Sequence, residues 1–265
     1  MNSAPKLALF DPLAENYDAQ FSDRLPAKWL RAAVYRHVEP LIEPGSRVFE
    51  VGCGTGLDAV RLAQLGCRVW ATDVSARMLE LASARAQQAG LAEQIHFHGF
   101  DVSAPGAGCM TGEADLDLVF ANFGVINCVE DLRPFFAFAQ ARLKPGGTVA
   151  LTVMGRFCLW ETLYFLARGR FAKAVRRWSG ASRFDSGAAS QTIWFHSPRQ
   201  VLAAAPAFRQ LALYGIGALI PNSEAFGLCE RFPRTFRRLA GLDVRIARFS
   251  HWMADHYVIL LKKSR

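Results

Sequence analysis

The residues best equipped for chemistry lie in the run Phe49-Glu50-Val51-Gly52-Cys53-Gly54-Thr55-Gly56. Three glycines at alternate positions after an apolar stretch form a turn that can take positive φ. Such a turn lets backbone N–H groups approach a ligand closely. Asp73 stands seventeen residues after Gly56, at the end of the next apolar stretch, Cys67-Arg68-Val69-Trp70-Ala71-Thr72. In a doubly wound sheet, an acid at the tip of the second strand is placed to hold a ribose. Turn and acid together point to an adenosine-containing cofactor. The nicotinamide fingerprint puts its third glycine five positions after its first, whereas Gly52 and Gly56 are four apart.

Elements that would position these groups follow from the pattern. Val48–Val51, Cys67–Thr72, Ile95–Val102, Leu116–Ala121 and Thr148–Met154 read as buried strands. Between them, Leu57–Leu65, Ser75–Ala89 and Leu132–Leu143 show helical spacing, with Ser75 as an N-cap and Gly66 and Gly90 as stops. Lys144-Pro145-Gly146-Gly147 breaks the third helix from its strand. This alternation predicts an α/β fold: a doubly wound, mostly parallel sheet with helices on both faces. After Met154 the alternation stops, and residues 155–196 read as an aromatic and basic insertion. It resumes at Ser197-Pro198, an N-cap with proline at the first helical position. A strand near Leu211–Leu219, an Arg-rich helical stretch and a strand near His256–Leu261 complete residues 197–265. The chain is thus expected to be one domain: flap 1–28, cofactor core 29–154, lid 155–196, then the rest of the sheet.

Composition narrows the classes. The 265 residues are 51% hydrophobic and 20% charged, which excludes intrinsic disorder. No uncharged apolar run reaches the eighteen residues of a membrane span, and residues 1–10 are too little apolar for a signal peptide. A cytoplasmic, globular protein is expected. The six cysteines, Cys53, Cys67, Cys109, Cys128, Cys158 and Cys229, form no C-x-x-C pair, so neither a disulfide framework nor a metal site is expected. His96 and His98 alternate along a strand but lack a third ligand.

The net charge of +8 is concentrated. Arg168–Arg183 holds six cations and no acid, and Glu230–Arg248 holds six arginines against two acids, leaving −2 for the remainder. Within the first segment, Phe171, Ala174, Val175 and Trp178 fall at helical spacing opposite Arg170, Lys173, Arg176 and Arg177. That pattern suits an anionic membrane surface, an acidic carrier protein or a phosphate-bearing acceptor, and equally a helix packing its apolar side onto its own domain.

The glycine turn resembles the E/D-x-G-x-G-x-G motif of the class I S-adenosylmethionine-dependent methyltransferases, small-molecule type, similar to the ubiquinone and menaquinone biosynthesis enzymes. Other segments agree in order. Phe10-Asp11-Pro12-Leu13-Ala14-Glu15-Asn16-Tyr17-Asp18 resembles their F-D-x-x-A-x-x-Y-D opening, and Asp73-Val74-Ser75-Ala76-Arg77-Met78-Leu79 their D-x-S-x-x-M-L segment. Asp101-Val102 fits the adenine position and Leu143–Gly147 the turn before the fifth strand. The resemblance implies a seven-stranded Rossmann-like sheet and S-adenosylmethionine as cofactor. It implies that Glu50, Gly52, Cys53, Gly54 and Gly56 surround the methionine portion and Asp73 holds the ribose. Val74 and Met78 would flank the adenine, Asp101 and Val102 would pair with its edge, and Ala121 and Asn122 would meet the amino-acid end, with Tyr17 closing over it. Where such relatives often carry L-H-H-V, this chain has Val125-Ile126-Asn127-Cys128-Val129, so Asn127 can orient an acceptor but is no strong base.

The activity implied is in-line methyl transfer to a small, hydrophobic or aromatic acceptor, with His196 the first candidate for a general base and Tyr17 and Asn127 as helpers. Tyr164, Glu161 and His251 are further candidates for the base. Alternatives are cyclisation of the cofactor's aminobutyrate arm or a catalytically silent accessory protein. Nucleic acid is disfavoured as acceptor, because Ala121-Asn122-Phe123-Gly124 stands where base methylases carry N-P-P-Y.

Overall fold

A computed structural model describes residues 14–106, 115–185 and 190–264. The Phe10–Leu13 part of the opening motif and Cys109 lie outside the described residues. Each apolar stretch of the first half becomes a strand: β1 Arg47–Val51, β2 Arg68–Asp73, β3 Ile95–Gly99, β4 Leu116–Ala121 and β5 Leu143–Met154. A hairpin follows, β6 Ala181–Asp185 with β7 Ser190–Trp194, then β8 Phe208–Ile216 and β9 His256–Lys263. The helices are α1 Leu25–Val38, α2 Leu57–Gln64, α3 Ala76–Gln88, α4 Arg133–Arg142, α5 Leu159–Leu166, α6 Phe171–Ala174, α7 Pro198–Ala204, α8 Phe226–Arg231 and α9 Pro233–Ser250.

The sheet has seven strands in the order β3-β2-β1-β4-β5-β9-β8. β1 to β5 are parallel, and β9 runs antiparallel to both β5 and β8. Alternation along the strands divides the core between two faces. Val48, Val258 and Leu260 pack with Leu30, Val34 and Leu62 on one side. Phe49, Tyr257 and Ile259 pack with Phe135, Phe136 and Phe138 on the other. Both faces are covered, which is why the strands read as continuous apolar runs rather than alternating ones.

Ser75 caps α3 by accepting from the Met78 N–H at 3.1 Å, and Ser197 with Gln200 forms a capping box at α7. β3 stops at Gly99, short of the expected Val102. β8 ends at Ile216 rather than Leu219, because Gly217 takes φ +77°. The expected break at Lys144–Gly147 lies within β5, where the ladder to β4 shifts register between Leu116 and Leu118.

The insertion after Met154 departs most from expectation. It holds α5, α6 and the β6–β7 hairpin, and the basic amphipathic helix expected over 170–178 is only the turn Phe171–Ala174. Ala174 is buried and Arg170 and Lys173 are exposed as expected, but Arg177 and the aromatic residues have changed places. Arg177 is 5% exposed, while Phe171 is 67% and Trp178 53% exposed. The physical reason is a buried ion cluster. Arg177 Nη2 donates to Glu161 Oε2 at 2.8 Å and Asp255 Oδ1 at 2.6 Å, and Nη1 donates to the Asp255 carbonyl at 2.9 Å. Arg176 Nε donates to Glu161 Oε1 at 2.8 Å. One guanidinium thereby ties α5 to the start of β9.

Burial opposes ionisation of Glu161 and Asp255, but Arg176 and Arg177 at Glu161, and His256 and Arg177 at Asp255, hold both carboxyls below their ordinary range. Arg177→Met should therefore lower the unfolding free energy by about 3–5 kcal/mol, since it strands two buried carboxylates. Urea unfolding at neutral pH measures this. The depressed carboxyls add stability that is complete above about pH 5 and is lost as pH falls through their folded values. The gap between the two proteins should accordingly narrow towards pH 3.

Candidate active site

The C-terminal ends of the parallel strands open onto one cavity of about 810 Å³. The glycine turn after β1 forms its floor, and each glycine has its own reason. At Gly52, φ +68°, a Cβ would lie 2.3 Å from a Val125 methyl. At Gly56, φ +81°, it would lie 2.8 Å from Ala82 Cβ and 2.9 Å from Ala82 Cα of α3. At Gly54, φ +52°, a Cβ meets nothing within 4 Å, because that position faces the cavity. The first and third glycines permit packing, and the middle one leaves room for a ligand.

Asp73 pins this turn. Its Oδ2 accepts from the Gly54 N–H and its Oδ1 from the Ser75 N–H, both at 2.9 Å, and its carboxylate forms part of the cavity wall. Val74, Met78, Asp101 and Val102 line the same end, with Asp101 fixed by Ser103, whose N–H and Oγ donate to Oδ1 at 2.8 and 2.6 Å. The termination of β3 at Gly99 is what frees Phe100–Val102 to reach it. Tyr17 and Cys53 also line the cavity. Burial, then Glu50 and Asp73, push the Cys53 thiol well up, so it is an unreactive wall group.

Three residues expected at the cofactor are placed differently. Glu50, Gly56 and Ala121 are absent from the lining; Gly56 packs on α3, and Ala121 is buried in the sheet. Glu50 lies beneath the turn, 2% exposed, with Oε2 unpartnered. Burial raises its pKa well above normal, with Asp58 adding to the effect and Arg31 opposing it.

Two catalytic expectations are corrected. His196 is buried, its Nε2 is 2.8 Å from the Val129 carbonyl, and its own carbonyl accepts from Tyr257 Oη at 3.0 Å. It lies off the lining and fastens the lid to the sheet. Asn127 is likewise spent: Nδ2 donates to the Met154 and Trp194 carbonyls at 3.0 and 2.6 Å, and Oδ1 accepts from the Met154 N–H at 2.9 Å. Neither lines the cavity.

The sequence reading missed a cluster at the amino-acid end. Arg31 of α1 pairs with Asp58 of α2, and Asn122 Nδ2 donates to the same Asp58 oxygen at 2.9 Å. Phe123 follows at φ +44°, with the Arg31 guanidinium 5.1 Å from its ring centroid. Arg31 and Asp58 are 27 positions apart, so no local spacing could announce them. The flap joins here too, since Thr55 Oγ1 donates to Asp18 Oδ1 at 2.8 Å and Arg85 pairs with Asp18.

This donor set fits a cationic nucleoside. Asp58 Oδ1 remains buried and unpartnered on the lining, an acceptor that a cationic ligand would satisfy. Asp73 and Asp101 line the cavity where the resemblance would put the sugar and the base. Parallel sheet, reversed β9, glycine turn and carboxylate define the class. Residues 48–147 match the methyltransferase domain family. The ubiquinone biosynthesis O-methyltransferase of Methylocella silvestris is 34% identical over 113 residues, 42% of this chain and 41% of that protein. The chain thus spans about two fifths of the length of that relative. Among solved structures, the CcbJ methyltransferase of Streptomyces caelestis superposes over 100% of both chains, with a TM-score of 0.64 at 15% identity. The [4+2]-cyclase SpnF covers 96% of this chain and 81% of its own, with a TM-score of 0.53 at 16% identity. Those two likenesses speak for the fold alone. Residues 48–147 thus resemble a methyltransferase domain, and the groups lining the cavity fit S-adenosylmethionine.

The glycines separate experimentally. Gly56→Ala should cost roughly 3 kcal/mol or more of stability, through a clash with backbone added to the left-handed φ. Gly54→Ala should cost only about 1 kcal/mol, because φ +52° is the left-handed well that a Cβ tolerates, yet weaken S-adenosylmethionine binding at least tenfold. Thermal unfolding and titration calorimetry on both variants check the pair.

Proposed function

We propose that the protein transfers a methyl group by in-line displacement to a small, apolar acceptor bearing an aromatic hydroxyl, in the cytoplasm. The observation that carries this reading is the continuity of the cavity. Its polar end, with Gly54, Asp73 and Asp101, runs without a partition into a wall formed by Phe184, Ile193, Phe195 and Phe226. The likeness to an O-methyltransferase of ubiquinone biosynthesis supports the acceptor class. All five described cysteines are free thiols, which suits a reducing compartment. No described helix is long and apolar enough to cross a membrane.

When bound, the cofactor supplies an electrophilic methyl on sulfur with a neutral thioether as leaving group. The chain's contribution is alignment and exclusion of water. Asp73, Asp101 and the Gly54 backbone fix one reactant, and the residues 155–196, read as a lid, enclose the other. Phe123, held left-handed between the two ends, offers an aromatic face to a passing cation.

The lid's outer surface supports a further contact. Phe171, Trp178, Leu163 and Leu166 are exposed in the same segment as Arg168, Arg170 and Lys173, and the exposed Trp252 stacks on Phe157. Exposed aromatics among cations fit the interface of an anionic membrane, from which an apolar acceptor could be drawn. Flotation with anionic vesicles should carry the protein, and neutral vesicles or a Phe171→Glu, Trp178→Glu variant should not. Equal recovery in all three would remove this contact.

Turnover is tested with methyl-labelled S-adenosylmethionine, purified protein and a set of catechols and hydroquinones. A methyl ether and S-adenosylhomocysteine are expected in equal amounts. Methylthioadenosine would mark cyclisation, and absence of any product an accessory role; either outcome overturns the reading.

A further inference from the structure

The acceptor end of the cavity holds one imidazole among the described lining residues, that of His256. It is the first residue of β9. Because β9 is antiparallel, its start lies at the same edge as the ends of the parallel strands, opposite Met154 of β5 and Ile216 of β8. The sheet order therefore delivers this side chain to the edge where Asp73 and the glycine turn also lie. Phe123 packs against it edge-on, with ring centroids 5.4 Å apart.

The ring is oriented by its neighbour. His256 Nδ1 is buried and lies 3.2 Å from Asp255 Oδ2, within ion-pair reach but outside hydrogen-bond geometry. Asp255 is itself immobilised, since its Oδ1 accepts from Arg177 Nη2 at 2.6 Å and Arg177 is held in turn by Glu161. A carboxylate beside Nδ1 favours the proton on that nitrogen and leaves the Nε2 lone pair on the other side of the ring, in a residue that lines the cavity. Asp255 also offsets the charge of an imidazolium once formed.

Of the other groups that could act as a base here, two are committed, while Asp185 and Glu224 also line the cavity. Glu161 is bound by Arg176 and Arg177, and burial raises the Tyr17 hydroxyl so that it keeps its proton. The charged groups around His256 are Asp255 on its own strand, Arg177 and Glu161 behind Asp255, and Arg31 on the far side of Phe123. Met154 and Ile216, beside it in the sheet, are apolar.

We propose that His256, oriented by Asp255, is the general base that deprotonates the acceptor hydroxyl. This rests on the reading that the site methylates an O–H acceptor. Nε2 takes the hydroxyl proton while the oxygen lone pair forms the bond to the methyl carbon. The carbon–sulfur bond breaks with its electron pair left on sulfur. The imidazolium then releases its proton to water, and no oxidant or metal is required.

His256→Gln in the full chain tests this. With catechol as acceptor, kcat should fall by about 100-fold or more, the usual worth of a positioned base, while S-adenosylmethionine affinity by calorimetry stays unchanged. The rise of kcat with pH should disappear. 4-Nitrocatechol, already ionised at neutral pH, should recover most of the loss, because it brings no proton to remove. A variant within threefold of the parent on catechol, or equally impaired on both compounds, overturns the proposal.

A second measurement stands apart from turnover. In 15N-histidine-labelled protein, the resonances missing from His256→Gln should report a protonated Nδ1 and a bare Nε2 at pH 8. The opposite tautomer overturns the assignment. If the parent methylates neither catechol nor nitrocatechol, the acceptor reading fails, and the tautomer alone then decides for or against an acceptor-facing Nε2.

Discussion

A carboxylate taken out of water must find a cation or a set of N–H donors, and that requirement organises both ends of the cavity. Asp73 meets it with two backbone N–H groups, and in doing so fixes the glycine turn. Asp58 meets it with Arg31 and Asn122. Asp255 and Glu161 meet it by sharing Arg177. Each solution joins elements distant in the chain, so the walls are held by charge pairing as much as by apolar packing. Glu50 is the exception. Its unpartnered oxygen lies under the turn, and burial there raises its pKa well above normal, which favours the uncharged carboxyl.

Much of the sheet was legible because its strands are buried on both faces and interrupted by glycine and proline. The period and the punctuation survive in one dimension. Ser75 and Ser197 were legible for the same reason, since a cap acts over three residues. Asp73 and the glycine turn were likewise readable from their place at strand ends, whereas Asp101 came only through the family resemblance. Arg31, Asp58 and His256 were not. They belong to the site because helix α1, helix α2 and strand β9 converge at one edge, and although Asp58 lies just after the glycine turn, nothing local to Arg31 or His256 encodes their approach to it.

The lid was misread in an instructive way. Phe171, Ala174, Val175 and Trp178 do have helical spacing, and spacing alone says that they should face inward together. Two buried acids reverse this. Glu161 and Asp255 draw Arg177 into the interior, and Gly169 and Gly180, both at positive φ, bracket the segment. With the guanidinium inside, the helix ends after Ala174, and the aromatics turn outward. A hydrophobic pattern predicts burial only when no unpaired buried charge competes for the same chain.

His196 and His256 show why position on a strand decides more than residue type. Both are buried and both precede or begin an element near the lid. His196 spends its Nε2 on the Val129 carbonyl, closing a loop of the fold. His256 sets Nδ1 near a carboxylate and lines the cavity. The difference traces to the one reversed strand: had β9 run parallel, its first residues would lie at the opposite edge of the sheet. Phe123 completes the arrangement, touching Arg31 on one side and His256 on the other. Its left-handed backbone, uncommon for an aromatic residue, is the local strain by which one ring reaches both the cofactor end and the acceptor end.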